Sequence, residues 1–509
     1  MKFIGDFHIH SHYSVATSKQ LVPEYLDYWG RIKGIKVIGT GDFTHPGWTK
    51  ELKKKLEPAE QGLFRLKDKY RIKSPLAHVP QREVRFMLTA EISNIYKKGA
   101  RVRKVHNVVF APDFETVKKI QKYIRKIGGN ITSDGRPILG LDSHDLLELC
   151  LKASENIFFI PAHIWTPWFS ILGDKSGFDS VEECFEDLTS YISAVETGLS
   201  TDPPMHWTCR FLDDFTLVSN SDAHSPEKLG RNANMFNTEV SYQSIVNAIR
   251  NGDPEKFPGT IDLFPQEGKY HYDGHRKCGI LWNPLQTLEN DGVCPVCGKK
   301  VTIGVMNRVC QLADRGNPEE RPHRIPFQSI IPLKEILSEI IDVGPNSKRV
   351  HKYYMNLVRK LGPETDILLD LPLETINEKE GPILSEAVRR MRNREVLIRE
   401  GFDGEFGRIK VFREGEIKLL NPEPSLFANQ MNIPEPKKRR LINFNMKAFQ
   451  EKRDEQLSET IHAADVRISF VPVKGMKSDL NPEQQKAAEF TDGPALIIAG
   501  PGSGKTRTM

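Results

Sequence analysis

Short apolar runs recur through the first half of the chain, and each ends in a histidine or a carboxylate. Residues 3–4 run into His8 and His10, 37–38 into Asp42, and 86–88 into Glu91. Val105 leads into His106, 157–160 into His163, 192–195 into Glu196, and 215–218 into Asp222 and His224. Between them lie stretches of helical period, such as 115–127 and 181–190. Such runs in series predict strands of a barrel or parallel sheet that carry polar side chains to one rim. A barrel is favoured over an open sheet because polar residues recur after nearly every strand. The predicted class is therefore α/β.

The pattern changes along the chain. Residues 1–265 form the predicted barrel, and 266–312 hold a cysteine cluster. Residues 313–425 read as mainly helical, with amphipathic runs at 333–341 and 350–361 and a short β-rich end at 402–418. Residues 426–478 carry prolines and charge, including Lys437-Lys438-Arg439-Arg440, and read as a linker with a solvated basic patch. Residues 479–509 open a further domain.

Composition narrows the picture only a little. The 509 residues allow several cores, and a net charge of +5 neither requires nor excludes nucleic acid. No apolar run reaches the length of a membrane span. Asp6 and His8 fall where a signal peptide would be apolar, and seven cysteines are an odd total. Both features predict a reducing cytoplasm and a metal-binding rather than disulfide role for the cysteine cluster.

His8-Ile9-His10 sets two imidazoles on one face of a strand, because side chains alternate with period two. Asp222-Ala223-His224 repeats that spacing near the end of the barrel region. Glu91 has two oxygens with which to bridge two metals, and His106 and His163 would complete the set. Bridged divalent metals lower the pKa of a shared water and neutralise charge on phosphoryl oxygens. Catalytic weight therefore falls on His8, His10, Glu91 and Asp222.

These motifs, with Thr40-Gly41-Asp42, Thr89-Ala90-Glu91-Ile92-Ser93 and Pro161-Ala162-His163, resemble the PHP (polymerase and histidinol phosphatase) superfamily. The resemblance implies a distorted (β/α)7 barrel with two or three divalent metals, zinc, manganese or magnesium. Its implied ligands are His8, His10, Asp42, Glu91, His106, His163, Asp222 and His224. The superfamily usually has Thr-Asp-His where this chain has Thr40-Gly41-Asp42, so Asp42 or the nearby His45 takes that place.

His275-x2-Cys278 and Cys294-x2-Cys297 are two knuckle-like pairs, the spacing of a structural zinc ribbon. Cys310 competes with His275 as fourth ligand, and His275 is preferred because it completes a symmetrical pair. The ribbon, with Gly304-Val305-x-x-Arg308-Val309 after it and Pro161-Ala162-His163-Ile164-Trp165-Thr166-Pro167-Trp168-Phe169 before it, resembles the endonuclease Q family over about residues 1–425. That resemblance implies a DNA repair endonuclease, and for 313–425 a DNA-binding role. Such an enzyme nicks 5′ to deaminated bases (uracil, hypoxanthine, xanthine) or abasic sites, in single- or double-stranded DNA. Trp165, Trp168 and Phe169 follow His163 and are candidates to wall a lesion pocket. Lys97, Lys98, Arg101, Arg103, Lys104, Lys118 and Lys119 are candidate phosphate contacts.

Near the end, Gly500-Pro501-Gly502-Ser503-Gly504-Lys505-Thr506 follows an apolar run and completes a Walker A pattern, with Ala499 at its first glycine position. It resembles the start of a UvrD-type superfamily 1 helicase, with Gln484 as the adenine reader and Gly504, Lys505 and Thr506 at the phosphates and magnesium. No Walker B acid follows, so ATP hydrolysis is not expected of these residues. A helicase or sliding clamp is the expected protein partner. Two rival readings stand beside the endonuclease: a PHP phosphoesterase for a small phosphomonoester, and a non-catalytic DNA-binding module that recruits a helicase.

Overall fold

The structure, a computed structural model, describes residues 1–73, 76, 83–420 and 440–465. The chain divides into two compact units, Met1–Glu451 and Lys452–Met509. The helix Met446–Asp465 begins in the first and ends in the second.

Strand Lys2–Asp6 pairs in parallel with Val37–Gly39, which pairs in parallel with Arg85–Lys98. The sheet then reverses. Arg101–Ala111 is antiparallel to Arg85–Lys98, and Phe158–Pro161 is antiparallel to Arg101–Ala111. Ala194–Glu196 and Thr216–Val218 form a separate parallel pair. A bridge from Ile9 to Ala223 brings the last of these strands back to the first and closes the ring. The first strand gives its other edge to Ala233–Asn237, followed by Gly259–Leu263 and Phe327–Ile330. This sheet extending from the barrel is what distorts it.

The ring is filled, as expected of a small barrel. Phe7 meets Phe110 and Phe236 edge-on at 5.7 and 5.8 Å, among Val37, Met87, Val108, Ile160 and Val218. Each fully buried Phe contributes about 1.5–3 kcal/mol. Alternation then puts the intervening polar residues at the rim. Helices cover the outside, among them Pro23–Lys33, Phe114–Lys126 and Ser143–Ala153. The last two open on Asp113 and Asp142, whose carboxylates accept backbone N–H groups of the first turn.

Three expectations change. The strand bearing His106 is antiparallel, so His106 lies within it opposite Ser93 rather than at its C-terminal end. The region 313–425 contributes helices such as Leu333–Ile341, Lys348–Leu361 and Pro382–Arg392 and ends on the hairpin Leu397–Arg399/Arg408–Lys410 where a short β-rich end was expected, yet Phe327–Ile330 joins the barrel's own sheet. The stretch expected as linker holds Met446–Asp465, whose Met446 and Phe449 are buried. Of the basic run, Lys437, Lys438 and Arg439 lie outside the described residues. No described helix is long and apolar enough to cross a membrane.

Candidate active site and metal centre

Chain continuations from the strand ends converge on Glu91. Its Oε1 lies 2.5 Å from His106 Nδ1, 3.1 Å from His163 Nε2 and 3.5 Å from His8 Nε2. Its Oε2 lies 3.5 Å from His10 Nε2 and 3.1 Å from Arg136 Nη1. Asp222 Oδ1 is 2.9 Å from His10 Nε2 and 3.8 Å from His8 Nε2, and the ring of His224 stands 4.6 Å from that of His10. Three groups have ligand atoms within 4.8 Å of one another: His8, His10 and Glu91; His10, Asp222 and His224; Glu91, His106 and His163. They share Glu91 and His10, the arrangement a centre of two or three divalent ions needs.

The donor set fits such ions on a further ground. Among the described residues His8 Nε2 is buried without a hydrogen-bond partner, and it faces the centre. The opposite nitrogens of His8 and His10 are held from behind. His8 Nδ1 lies 2.9 Å from Glu196 Oε2, and His10 Nδ1 lies 3.4 Å from Asp42 Oδ1. A carboxylate behind a ligating imidazole fixes its orientation and raises its basicity. Glu196 is itself fixed by Asn220 Nδ2 at 2.8 Å and the backbone N–H of His163 at 2.8 Å. Asp42 Oδ2 accepts from the Ser11 N–H, the Ser11 hydroxyl and the Ser14 hydroxyl at 2.6, 2.6 and 2.8 Å. Asp42 thus stands behind His10 rather than in one of the three groups. His45, its rival from sequence, caps the helix Pro46–Lys55 and lies 3.1 Å from the Thr132 carbonyl.

Electrostatics agree with this geometry. Burial opposes charge on Glu91, but the surrounding imidazoles outweigh it and hold the carboxyl well below its ordinary range. Asp222 behaves likewise, with His10 and His8 outweighing burial. Burial pushes His106 down to about 4, so it is a neutral donor. Burial also opposes charge on His10, yet Asp222 and Asp42 raise it to about 10. Protons and metal ions compete for such nitrogens. Backbone strain gathers here too. Asp42, His163 and Asp222 have φ of 50°, 30° and 46°, a region that costs residues other than glycine about 1–3 kcal/mol each.

The three aromatics expected at a lesion pocket separate. Trp165 is buried, with its ring against His206, because the chain after His163 turns inward. It packs the core and cannot wall an open pocket. Phe169 stands 4.6 Å from the His106 ring, and Trp168 is 52% exposed with Lys104 Nζ 5.0 Å from its ring. Of the candidate phosphate contacts, Lys98 is engaged by Asp142 and Glu186, Arg103 by Phe178 and the Gly177 carbonyl, and Lys119 by the Ala153 carbonyl. Lys97, Arg101 and Lys118 are exposed. Arg136 and Asn220 had no signal in the sequence. Arg136 arrives on a loop, brought in where Ile138–Leu139 pairs with Ser93 and Asn94.

Comparison with known proteins bears on the whole arrangement. The PHP-associated family matches residues 214–254, the MJ0043 C-terminal domain family 332–395, and the UvrD/REP helicase N-terminal domain family 480–509. The crystal structure of the lesion-specific endonuclease PfuEndoQ from Pyrococcus furiosus is similar at TM-score 0.70 and 31% identity, covering 84% of this chain and 100% of that one. The chain belongs to the endonuclease Q family. A second endonuclease Q structure, complexed with a 27-mer duplex substrate with an abasic lesion at the active site, matches at TM-score 0.68 and 31% identity, over 81% of this chain and 98% of that one. The uncharacterized protein MJ0043 of Methanocaldococcus jannaschii is 30% identical over 270 residues, 52% of this chain, and the chain spans only 33% of its length.

This endonuclease Q chain carries a second candidate metal site. His275, Cys278, Cys294 and Cys297 bring their ligand atoms within 4.8 Å of one another. Strand Asp273–His275 pairs with Ile280–Trp282 to form the first knuckle, and Gly298 N–H returns to the Cys294 carbonyl at 2.8 Å in the second. Burial would raise the Cys294 thiol, but the N–H groups of Cys297 and Val296 aimed at its sulfur bring it down to about 7. An easily formed thiolate is the form zinc binds. Cys310 is buried away from this group and donates to Met446 Sδ at 3.5 Å. Gln484, Gly504, Lys505 and Thr506 lie outside the described residues.

Proposed function

We propose that this chain is a metal-dependent DNA repair endonuclease that nicks a strand on the 5′ side of a deaminated base (uracil, hypoxanthine, xanthine) or an abasic site. The observation that carries the reading is the convergence of three overlapping ligand groups on Glu91 and His10, in a chain that aligns with the full length of a lesion-specific endonuclease. Divalent ions held there (zinc, manganese or magnesium) would supply a water of lowered pKa and neutralise phosphoryl charge.

The chain's own residues do the positioning. Glu196 and Asp42 turn the Nε2 atoms of His8 and His10 inward. Arg136 is 29% exposed at the centre, so its guanidinium is available to a phosphodiester oxygen as well as to Glu91. Phe169 and the exposed Trp168 form the apolar side of the mouth, where an extruded nucleotide would rest. The ribbon takes one structural zinc. A helicase is the favoured partner because residues 480–509 match the UvrD/REP helicase N-terminal domain, and a sliding clamp is the alternative. The cysteine usage favours a reducing cytoplasm.

A nicking assay tests the reading. The substrate is a labelled duplex with one deoxyuridine or deoxyinosine, incubated with Mg²⁺, Mn²⁺ or Zn²⁺ beside an undamaged control. A lesion-dependent nick on the 5′ side, lost in Asp222→Ala, is the expected result. Hydrolysis of a generic phosphomonoester without nicking would replace this reading with a small-molecule phosphoesterase. DNA binding without either activity would leave a recruiting module.

A further inference from the structure

The hairpin Leu397–Arg399/Arg408–Lys410 displays an aromatic ring to solvent on a loop that is held still. Phe406 is 65% exposed, and Tyr270, whose hydroxyl would lie 3.5 Å from a Cβ on Gly404 of the same loop, is 44% exposed. An exposed ring on a mobile tip would mean little. This loop is instead tied to 266–272 by backbone bonds: Gly401 N–H to the Gln266 carbonyl at 2.9 Å, Gly404 N–H to Lys269 at 3.0 Å, Gly407 N–H to Glu267 at 3.0 Å, and Tyr272 N–H to Gly401 at 3.0 Å. The approach is so close that a Cβ on Gly401 or Gly407 would lie 2.2 or 2.0 Å from a carbonyl oxygen. Asp403 adds two bonds to the ribbon, accepting from the Arg276 N–H at 2.8 Å and the Thr302 hydroxyl at 2.6 Å. Arg276 directly follows the candidate zinc ligand His275. The ribbon therefore acts as the mount of this loop.

Charge surrounds the ring. Lys269 Nζ stands 4.5 Å from the Phe406 centroid. Arg408 and Lys410 are exposed on one face of their strand, and Arg408 sits directly opposite Arg399. Like charges facing each other across a strand pair destabilise it, and among the described residues Arg399 is relieved by Glu405 at 3.1 Å. A polyanion would offset that cost. A pre-ordered aromatic flanked by cations is the surface on which unpaired bases stack while the backbone is gripped. Duplex DNA hides its base faces, so the ring selects for a single strand.

We propose that Phe406 and Tyr270, with Lys269, Arg399, Arg408 and Lys410, form a binding platform for single-stranded DNA, separate from the metal centre and mounted on the zinc ribbon. The inference rests on DNA being this chain's substrate.

The test measures fluorescence anisotropy of the full chain with a labelled oligothymidine of roughly 15 nucleotides, the size such surfaces occupy, and with a lesion-free duplex of equal length. Phe406→Ala is expected to weaken oligothymidine binding roughly fivefold to a hundredfold, the equivalent of one lost stack, and Phe406→Trp to retain it. The double substitution Arg408→Ala/Lys410→Ala should lower the salt slope by about 0.7 for each phosphate that is no longer neutralised. Unchanged melting temperature and zinc content show that the variants fold. Oligothymidine binding indifferent to Phe406→Ala, or an equal loss on duplex, would overturn the platform. The nicking assay on the unsubstituted chain reports separately. A chain that nicks but ignores Phe406→Ala loses only this inference, whereas one that binds oligothymidine through Phe406 without nicking loses only the endonuclease reading.

Discussion

The ribbon gathers its four candidate ligands from within residues 275–297, whereas the barrel centre joins His8 to Asp222 from opposite ends of the barrel region. The ribbon's knuckles are set by local turns and lie near the surface, with Cys297 exposed. Four of the barrel's donors, His8, His10, Glu91 and His106, are buried, and the set depends on the closed sheet to meet at all. A ribbon of this kind, with zinc held by these four side chains, would gain its folding energy from the metal. The barrel instead builds its centre from packing and from carboxylates behind the imidazoles, and leaves Asp222, His224 and Arg136 partly exposed. Chemistry belongs to the second design, because only a preorganised and accessible site can act on a third party.

The sharpest way to break this contrast is to remove a donor from the barrel. Asp222→Ala deletes an oxygen 2.9 Å from His10 Nε2. Lesion nicking should fall by about three orders of magnitude or more, the worth of several kcal/mol of charge stabilisation, while the melting temperature moves little. A variant that nicks at the parental rate would show that the centre lies elsewhere.

A second test asks whether the barrel's buried acids are held by the fold. Asp262 accepts from Thr197, Ser219 and Thr260, just behind the segment that supplies Glu196 and Asp222, and burial pushes it up to about 7. The folded value lies above the ordinary one, so the folded state keeps a proton that the unfolded state releases. Stability from this group is full at low pH and is lost as pH climbs from about 4 to 7, by roughly 4 kcal/mol at most. Asp262→Asn should therefore flatten the decline in urea stability between pH 5 and pH 8. Asp202, raised to about 6 by burial, would leave a residual slope. An unchanged decline would mean that Asp262 ionises freely.

Removing a support rather than a donor should cost less. Glu196→Gln keeps the size of the side chain but weakens its hold on His8 Nδ1. A loss of about 10- to 100-fold in metal affinity is expected by titration calorimetry, with a parallel loss in nicking. An unaltered affinity would make Glu196 a packing residue.

How far the sequence foretold these regions follows from the same contrast. Both ribbon pairs were visible because a knuckle is a matter of spacing alone. In the barrel, His8/His10 and Asp222/His224 were visible from their i, i+2 spacing, although both pairs lie beyond the strand ends, flanking the bridged Ile9 and Ala223. The direction of the strand bearing His106 was not, since an apolar run does not reveal whether its neighbour is parallel. Arg136 was hidden because it reaches Glu91 through a loop whose position depends on a short distant pairing. The place of Asp42 behind His10 depended on Ser11 and Ser14 claiming its other oxygen. Trp165 misled because three aromatics after a ligand look alike in sequence, whereas only the turn of the chain decides which is exposed.

The smallest effect decides the ribbon's fourth ligand. His275 Nδ1 lies 3.6 Å from Cys297 Sγ, whereas Cys310 sits in the core on helix Val305–Leu312 with its thiol toward Met446. Cys310→Ala should therefore retain one zinc in the ribbon and cost about 1 kcal/mol for the volume removed. His275→Ala should release that zinc to a chelator far faster, because three thiolates leave the tetrahedron open. Metal analysis after gel filtration separates the two. If Cys310→Ala loses the zinc and His275→Ala keeps it, the ribbon closes through the core helix. The hairpin above it would then be mounted on the helical region rather than on the knuckle at His275.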